Sequence, residues 1–273
     1  MALRGKTAVV TGGGQGIGRA ICHALSAARM QVVVSDLLPD LASRVANEVG
    51  GIAVPCDVSE PEEIAALVSA AEDRFGAINL FCSNAGFAKG DPGGAVSAPD
   101  AQWQASWDVH VMAHVRAARL VLPGMIARGE GVLVNVASGA GLLNQIGDAA
   151  YSATKHAAVS LAQSLAITHA DQGIQVAVVC PLYVATPLLG YDDSAREAVP
   201  HDRVLRPEDV AQSLMEGLAE GRFLILPHAE AGEFARRRAT DPEGWIRGMQ
   251  ALRRRVMAEL GPESDLVDLH KLI

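Results

Sequence analysis

Residues 11–18 read Thr11-Gly12-Gly13-Gly14-Gln15-Gly16-Ile17-Gly18. The apolar run Thr7-Ala8-Val9-Val10 leads into them, and Arg19-Ala20-Ile21 opens a helical pattern directly after. Glycines let a backbone approach a pyrophosphate, whose charge is then stabilised by the N–H groups and positive end of the following helix. The spacing is G-x-x-x-G-x-G rather than the commoner G-x-G-x-x-G. A glycine cluster alone can be an ordinary loop. A strand before it and a helix after it make this one a phosphate cradle, and predict a parallel α/β sheet whose ligand sits at the first turn.

Working outward, the runs 7–10, 31–35, 52–56, 78–83, 131–137, 174–180 and 223–226 are rich in Val, Ile, Leu and Ala. They are continuously apolar, as strands covered on both faces of a parallel sheet are. Helical spacing fills the intervals near 16–29, 39–50, 60–75, 99–128, 151–171 and 207–220, with Ser59, Pro61 and Pro207 at plausible starts. This alternation predicts one doubly wound, Rossmann-type α/β domain over residues 1–227, with a seven-stranded parallel sheet and helices on both faces. Residues 228–273 differ. They are Arg-rich (Arg236-Arg237-Arg238, Arg253-Arg254-Arg255) and place Trp245, Met249 and Leu252 at near-helical spacing. They read as a helical extension that covers the substrate mouth, a neighbouring subunit or the sheet edge, with the arginines as its solvated face or, for one of them, within reach of an anionic substrate group.

Composition excludes much else. A chain of 273 residues, 49% hydrophobic and 20% charged, buries a core without disulfides or metals. Its 31 acidic against 23 basic residues give a net charge of −8, with no basic stripe, which argues against nucleic acid. Cys22, Cys56, Cys82 and Cys180 are scattered without a C-x-x-C pair and read as apolar core residues in a reducing cytosol. The N-terminus lacks a leader's charged and apolar segments, and the uncharged stretch 174–190 is interrupted by Pro181 and Pro187, so a cytoplasmic protein without a membrane span is expected.

Asp36 ends the second strand, eighteen residues after Gly18. That is close to the offset of about 20 at which an acid accepts the ribose hydroxyls of NAD. Its carboxylate would repel a 2′-phosphate, and neither Gln15 nor Leu37 supplies the cation NADP needs, so NAD is the expected cofactor. Asp36 could otherwise just open the turn before Pro39. Further on, strand five delivers Ser138 at its carboxyl end, where open α/β sheets place their ligands. Tyr151 and Lys155 follow at i and i+4 on one helix face, where an ammonium would lower the phenol's pKa from about 10 and fit it to exchange a proton with an alcohol. Ser138 can hydrogen-bond the same oxygen. A Y-x-x-x-K pair by itself is usually a solvated helix face.

These motifs occur together, and the chain resembles the short-chain dehydrogenase/reductases over about residues 5–226. The resemblance rests on Thr11-Gly12-x-x-x-Gly16-x-Gly18, Asp57-Val58, Asn84-Ala85-Gly86, the Ser138, Tyr151 and Lys155 set, and Pro181 followed by Thr186-Pro187. It implies an NAD-dependent alcohol dehydrogenase, a homodimer or homotetramer joined through the helices near 101–128 and 151–170. Tyr151 would be the acid/base, Lys155 its modulator and a ligand of the nicotinamide ribose, and Ser138 the polariser. The implied cofactor contacts are Gly12, Gln15, Gly16, Ile17 and Gly18 at the phosphates, Asp57 and Val58 at adenine, Asn84, Ala85 and Gly86 beside the central strand, and Pro181, Val184 and Thr186 at the carboxamide. Asp57 could instead cap the next helix, and Asn84-Ala85-Gly86 could be only a turn.

The chain departs from the family's pattern twice. His110 stands where an asparagine usually completes a proton relay, and serves that relay or packs as a hydrogen-bonded core histidine. His110 and His114 are i, i+4, yet the glutamate of H-E-x-x-H is absent at Val111, so no metal is expected. Leu182, followed by Tyr183, stands where glycine commonly follows Pro181, and narrows the floor of the site. Leu142, Leu143, Gln145, Ile146, Tyr183, Leu188 and Leu189 are expected to rim a mostly apolar pocket, though about half could be core. A moderately hydrophobic secondary alcohol or ketone is the expected substrate. The alternative is a non-catalytic dinucleotide-sensing or scaffold protein.

Overall fold

Thr7-Ala8-Val9-Val10-Thr11 has no residue that needs water, and all of it is buried as strand β1 (Thr7–Thr11). In the computed structural model, which describes residues 3–91, 93–191 and 203–261, β1 is an inner strand, third of a seven-stranded sheet. The other strands are β2 (Gln31–Ser35), β3 (Ile52–Ala53), β4 (Ile78–Ser83), β5 (Gly131–Val136), β6 (Ile174–Val179) and β7 (Leu224–Ile225), in the order β3-β2-β1-β4-β5-β6-β7. Every pairing is parallel. The order reverses between β1 and β4, so a crevice opens there beyond the strands' carboxyl ends.

Neighbouring residues on each strand feed opposite cores. Val10, Val34, Val134 and Val179 pack with Ile21 and Leu25 of α1 (Gly16–Ala27), Val45 of α2 (Pro39–Val49), and Val210 and Leu214 of α8 (Pro207–Ala219). Val9, Val33, Leu133 and Val178 pack instead with Ile64 and Leu67 of α3 (Pro61–Phe75), Val121 and Met125 of α5 (Ala113–Arg128), and Ala158 and Ala162 of α7 (Ala149–His169). Pro39, Pro61 and Pro207 each occupy the first helical turn, where the missing N–H costs nothing.

Three local features differ from the sequence pattern. The stretch 52–56 is regular strand only at Ile52 and Ala53, although the Val54 and Cys56 N–H groups still donate to the Val34 and Asp36 carbonyls; Pro55 lacks its N–H on the outer side, where an edge strand has no partner. β7, at the other edge, is equally short. The single helix expected over 99–128 is α4 (Asp100–Trp107), a π turn at Asp108–Met112, and α5. Beyond β7 the chain forms α9 (Glu230–Thr240) and α10 (Pro242–Leu260), where Val256 is buried against Ala88. Residues 262–273 of the expected extension lie outside the described residues. No helix among the described residues is long and apolar enough to cross a membrane.

Candidate active site

The glycine loop is shaped by what surrounds it. A Cβ on Gly18 would collide with the Gly12 carbonyl oxygen, so only glycine lets α1 start this close to β1. A Cβ on Gly14 would stand 2.8 Å from Asp36 Oδ2, the atom that accepts the Gly14 N–H at 2.9 Å. Asp36 Oδ1 accepts from the Leu38 N–H at 3.1 Å. The carboxylate is thus held against the loop with its edge in the crevice. Arg44 of α2 donates to the Gly14 carbonyl at 3.4 Å and does not line the crevice. Across the switch point, Asn84 Nδ2 donates to the Thr11 and Gly12 carbonyls at 2.9 and 3.0 Å, and Thr11 Oγ1 accepts from the Asn84 and Ala85 N–H groups. The Asn84-Ala85-Gly86 segment therefore stitches the ends of β1 and β4 together. Asp57 Oδ1 accepts from Ser59 N–H and Oγ–H, closing the turn before α3 while the residue still faces the crevice.

Ser138 follows β5 and begins the short helix α6 (Ala140–Leu143), whose Ala140 N–H donates to Ser138 Oγ at 3.1 Å. Tyr151 and Lys155 come one turn apart on α7, both buried and both facing the same cavity. Lys155 Nζ lies 5.5 Å from the Tyr151 ring centroid and donates to the Val136 carbonyl at 3.1 Å. The expected lowering of the phenol's pKa is not found in the protein alone. Burial pushes Tyr151 up to about 12, with the hydrogen bond to Ser138 pulling the other way. Burial also brings the Lys155 amine down to about 8. Desolvation outweighs the i, i+4 proximity because both heads sit where water does not reach.

An acidic clasp that the sequence did not disclose holds the start of α7. Asp148 caps the helix by accepting the Tyr151 N–H at 2.9 Å through Oδ1, and takes Lys89 and Gly90 N–H groups on Oδ2 at 3.2 and 3.0 Å. Asp91 Oδ2 accepts the Ala149 N–H at 2.7 Å. Asp148 before a helical pattern is an N-cap signal; its reach to residues 89 and 90 has no sequence signal.

His110 lies behind Gly86 rather than in the cavity, fully buried. Its Nε2 accepts the Phe87 N–H at 3.2 Å. Thr154 Oγ–H is directed at the Ala150 and Tyr151 carbonyls, so His110 Nδ1–H donates to Thr154 Oγ1 at 2.9 Å. Burial and the Lys155 charge hold its pKa well below 6.5. His114, one turn further, is also buried, and among the described residues neither of its ring nitrogens has a partner.

The floor is set by a third histidine. His228 Nδ1 accepts the Leu182 N–H at 3.1 Å, and its Nε2–H points to the Tyr183 and Arg203 carbonyls at 3.0 and 3.2 Å. Phe234 of α9 and Trp245, Met249 and Leu252 of α10 form the roof. The cavity measures about 810 Å³. All the residues expected from sequence line it except His110 and Leu142. Leu142 packs into the α3, α5 and α7 core, and its carbonyl accepts from Arg238. Phe87, Ala88, Phe234 and Arg237 line it without having been singled out as pocket residues, since only the tertiary fold brings them there.

Residues 6–197 match the short chain dehydrogenase family model, and the chain belongs to that family. It is 32% identical over 254 residues to Oxidoreductase UcpA of Escherichia coli, spanning 91% of this chain and 92% of that one. To a cyclohexanol dehydrogenase of an Acinetobacter species it is 34% identical over 214 residues, 76% of this chain and 85% of the relative. A crystal structure of a short chain dehydrogenase/reductase from Burkholderia phymatum in complex with NAD matches with a TM-score of 0.79 at 30% identity, over 89% of this chain and 96% of that one.

Proposed function

We propose that the protein oxidises a moderately hydrophobic secondary alcohol with NAD, or reduces the matching ketone, with Tyr151 as the acid/base. The observation that carries this reading is the meeting of Ser138, Tyr151 and Lys155 in one cavity with the glycine cradle and Asp36. The cradle fits a dinucleotide: Gly12, Gly16 and Gly18 bring bare backbone to the crevice wall at the start of α1, and Asp36 presents a carboxylate where ribose hydroxyls would be read. Lys155 would hold the nicotinamide ribose, Val184 and Thr186 the carboxamide, and Asp57 and Val58 the adenine. When bound, NAD supplies the hydride acceptor.

The remaining chemistry belongs to the chain. Tyr151 Oη takes the substrate's hydroxyl proton, and Ser138 Oγ hydrogen-bonds the oxygen as it becomes a carbonyl. Lys155 stabilises the phenolate, a form that burial otherwise disfavours. His110 is a positioning residue: it joins the turn after β4 to the helix carrying Tyr151 and holds no exchangeable proton in the cavity. The two helices after β7 act as a lid, and the exposed Leu120 of α5 and Ile167 of α7 mark the faces through which a homo-oligomer would form.

The reading is tested by following NAD reduction with a panel of aliphatic, alicyclic and aromatic secondary alcohols, alongside Tyr151→Phe. Turnover by the native protein that falls at least about a hundredfold in the variant, with NAD binding retained, is the expected result. NAD binding without turnover of any alcohol, or reduction of any ketone, would leave a dinucleotide sensor.

A further inference from the structure

Charge is distributed unevenly along the cavity. Its two lining carboxylates, Asp36 and Asp57, belong to the ends of β2 and β3, at the side where adenosine would lie. Its two lining cations are Lys155, beside Tyr151, and Arg237 of α9, an exposed residue on the cavity's rim. The walls include the apolar Leu143, Ile146, Phe234, Trp245 and Met249. The cavity thus combines an apolar lining with a proton-transfer group on α7 and a guanidinium on α9.

Arg237 differs from its neighbours in how it is used. Arg236 pairs with Glu233. Arg238 donates to the Leu142 carbonyl and to His156 Nε2 at 3.3 Å, while His156 Nδ1–H is committed to the Ser152 carbonyl at 2.9 Å. These bonds tie α9 to α6 and α7 and fix its rotation about its own axis. The preceding side chain is thereby presented to the cavity. Among the described residues the Arg237 guanidinium has no hydrogen-bond or ion-pair partner. A planar fork of donors beside an apolar channel matches a carboxylate, which it can bind in bidentate fashion.

We infer that Arg237 is the anion anchor of the substrate site, and that the preferred substrate is a hydroxy acid whose carboxylate is separated by an apolar stretch from the carbon that reacts. This rests on the alcohol-oxidising reading above. The chemistry is unchanged by it: the carbinol carbon loses hydride to NAD, its hydroxyl proton goes to Tyr151, a ketone forms, and the carboxylate passes through unaltered. Arg237 selects and orients the substrate rather than taking part in the reaction.

The test compares (ω−1)-hydroxy fatty acids, from hydroxybutanoate to hydroxydecanoate, each with the 2-alkanol of equal length. The quantity read is the ratio of kcat/KM for acid to kcat/KM for alcohol within one enzyme, so that general damage cancels. At the best length the native ratio should exceed unity by about tenfold, the size of a charged hydrogen-bonded contact at a partly wet rim. It should shrink as salt is added. Arg237→Gln should bring the ratio to about one, Arg237→Lys should recover part of it, and Arg237→Glu should invert it. Hexanoate against hexanamide, which carry no hydroxyl, gives a readout without turnover: tryptophan fluorescence titrations should favour hexanoate in the native protein and lose that preference in Arg237→Gln. Alcohols oxidised as well as acids at every length, with ratios equal in native and Arg237→Gln enzymes, would overturn the anchor and leave the alcohol reading standing. Oxidation of neither series would overturn both.

Discussion

Leu182 occupies the space that a side chain on Gly139 would need. A Cβ added to Gly139 would overlap Leu182 Cδ2, and the Gly139 N–H donates to the Pro181 carbonyl at 2.6 Å, which holds the two segments together. Ser138 is next in the chain, so the large residue in the floor and the missing side chain beside the serine are two halves of one adjustment.

Gly139→Ala should therefore cost about 1–3 kcal/mol through overpacking. In a Leu182→Ala background the same change should cost less than about 0.5 kcal/mol. Urea unfolding of the four proteins gives the coupling; equal costs in both backgrounds would dismiss the contact.

Asp36→Ala removes the acceptor of the Gly14 N–H and a negative charge from the crevice wall, where the ribose is proposed to lie. The ratio of kcat/KM for NAD to that for NADP should fall by about tenfold or more. An unchanged ratio would mean that another residue reads the ribose, with Arg44 next in line to be tested.

For His110, both ring nitrogens are committed, to Phe87 N–H and to Thr154 Oγ1. The pH–rate profile of His110→Asn should keep its shape and most of its height, because asparagine can both donate and accept. His110→Ala should lose about tenfold in kcat with the same profile. A limb of the profile that disappears in the alanine variant would restore the relay role.

His114 sets a pH dependence of stability. Burial, with a contribution from the Lys155 charge, brings its pKa down to about 3, whereas the unfolded chain binds a proton near pH 6.5. Neutral His114 is thus fully tolerated above pH 6.5, and stability drains as pH falls from there toward 3. By pH 5 the loss is about 2 kcal/mol. His114→Leu should flatten this slope and raise the melting temperature at pH 7, since it removes two buried nitrogens without partners among the described residues. Parallel slopes for the two proteins between pH 7 and pH 5 would reject the assignment.

Trp245 of α10 lines the cavity from a segment distinct from the glycine loop. Trp245→Ala should raise the KM of a hydrophobic alcohol severalfold and leave the KM of NAD close to native, the split expected when a lid residue touches only the substrate. Equal changes in both constants would show α10 to be general packing.

The parts of this site that were legible in the sequence are those whose chemistry is local. Gly12 to Gly18 lie within one turn, Asp36 ends the next strand, and Tyr151 and Lys155 are one helical turn apart. Contacts between distant segments were not legible. Asp148 meets Lys89 and Gly90, and His228 meets Leu182, only because the fold closes long loops. The helical residue types of 99–128 continue through the π turn at Asp108–Met112, and a single widened turn carries no residue signature of its own. The shift of Tyr151 was anticipated with the wrong sign. Spacing along α7 gives the distance to Lys155 but says nothing about how little water reaches either head.

Asp148 and Asp91 bind the 89–91 segment to the start of α7, so the wall that carries Tyr151 moves as one piece. The facing wall comes from a different stretch of chain, α9 and α10, fastened chiefly through Arg238 and Val256. The part of the cavity wall that α9 and α10 supply is consequently separate in sequence from Ser138, Tyr151 and Lys155. Changes confined to the last two helices alter that wall without touching Ser138, Tyr151 or Lys155, so an engineer reshaping the cavity has a natural boundary at which to begin, just past His228.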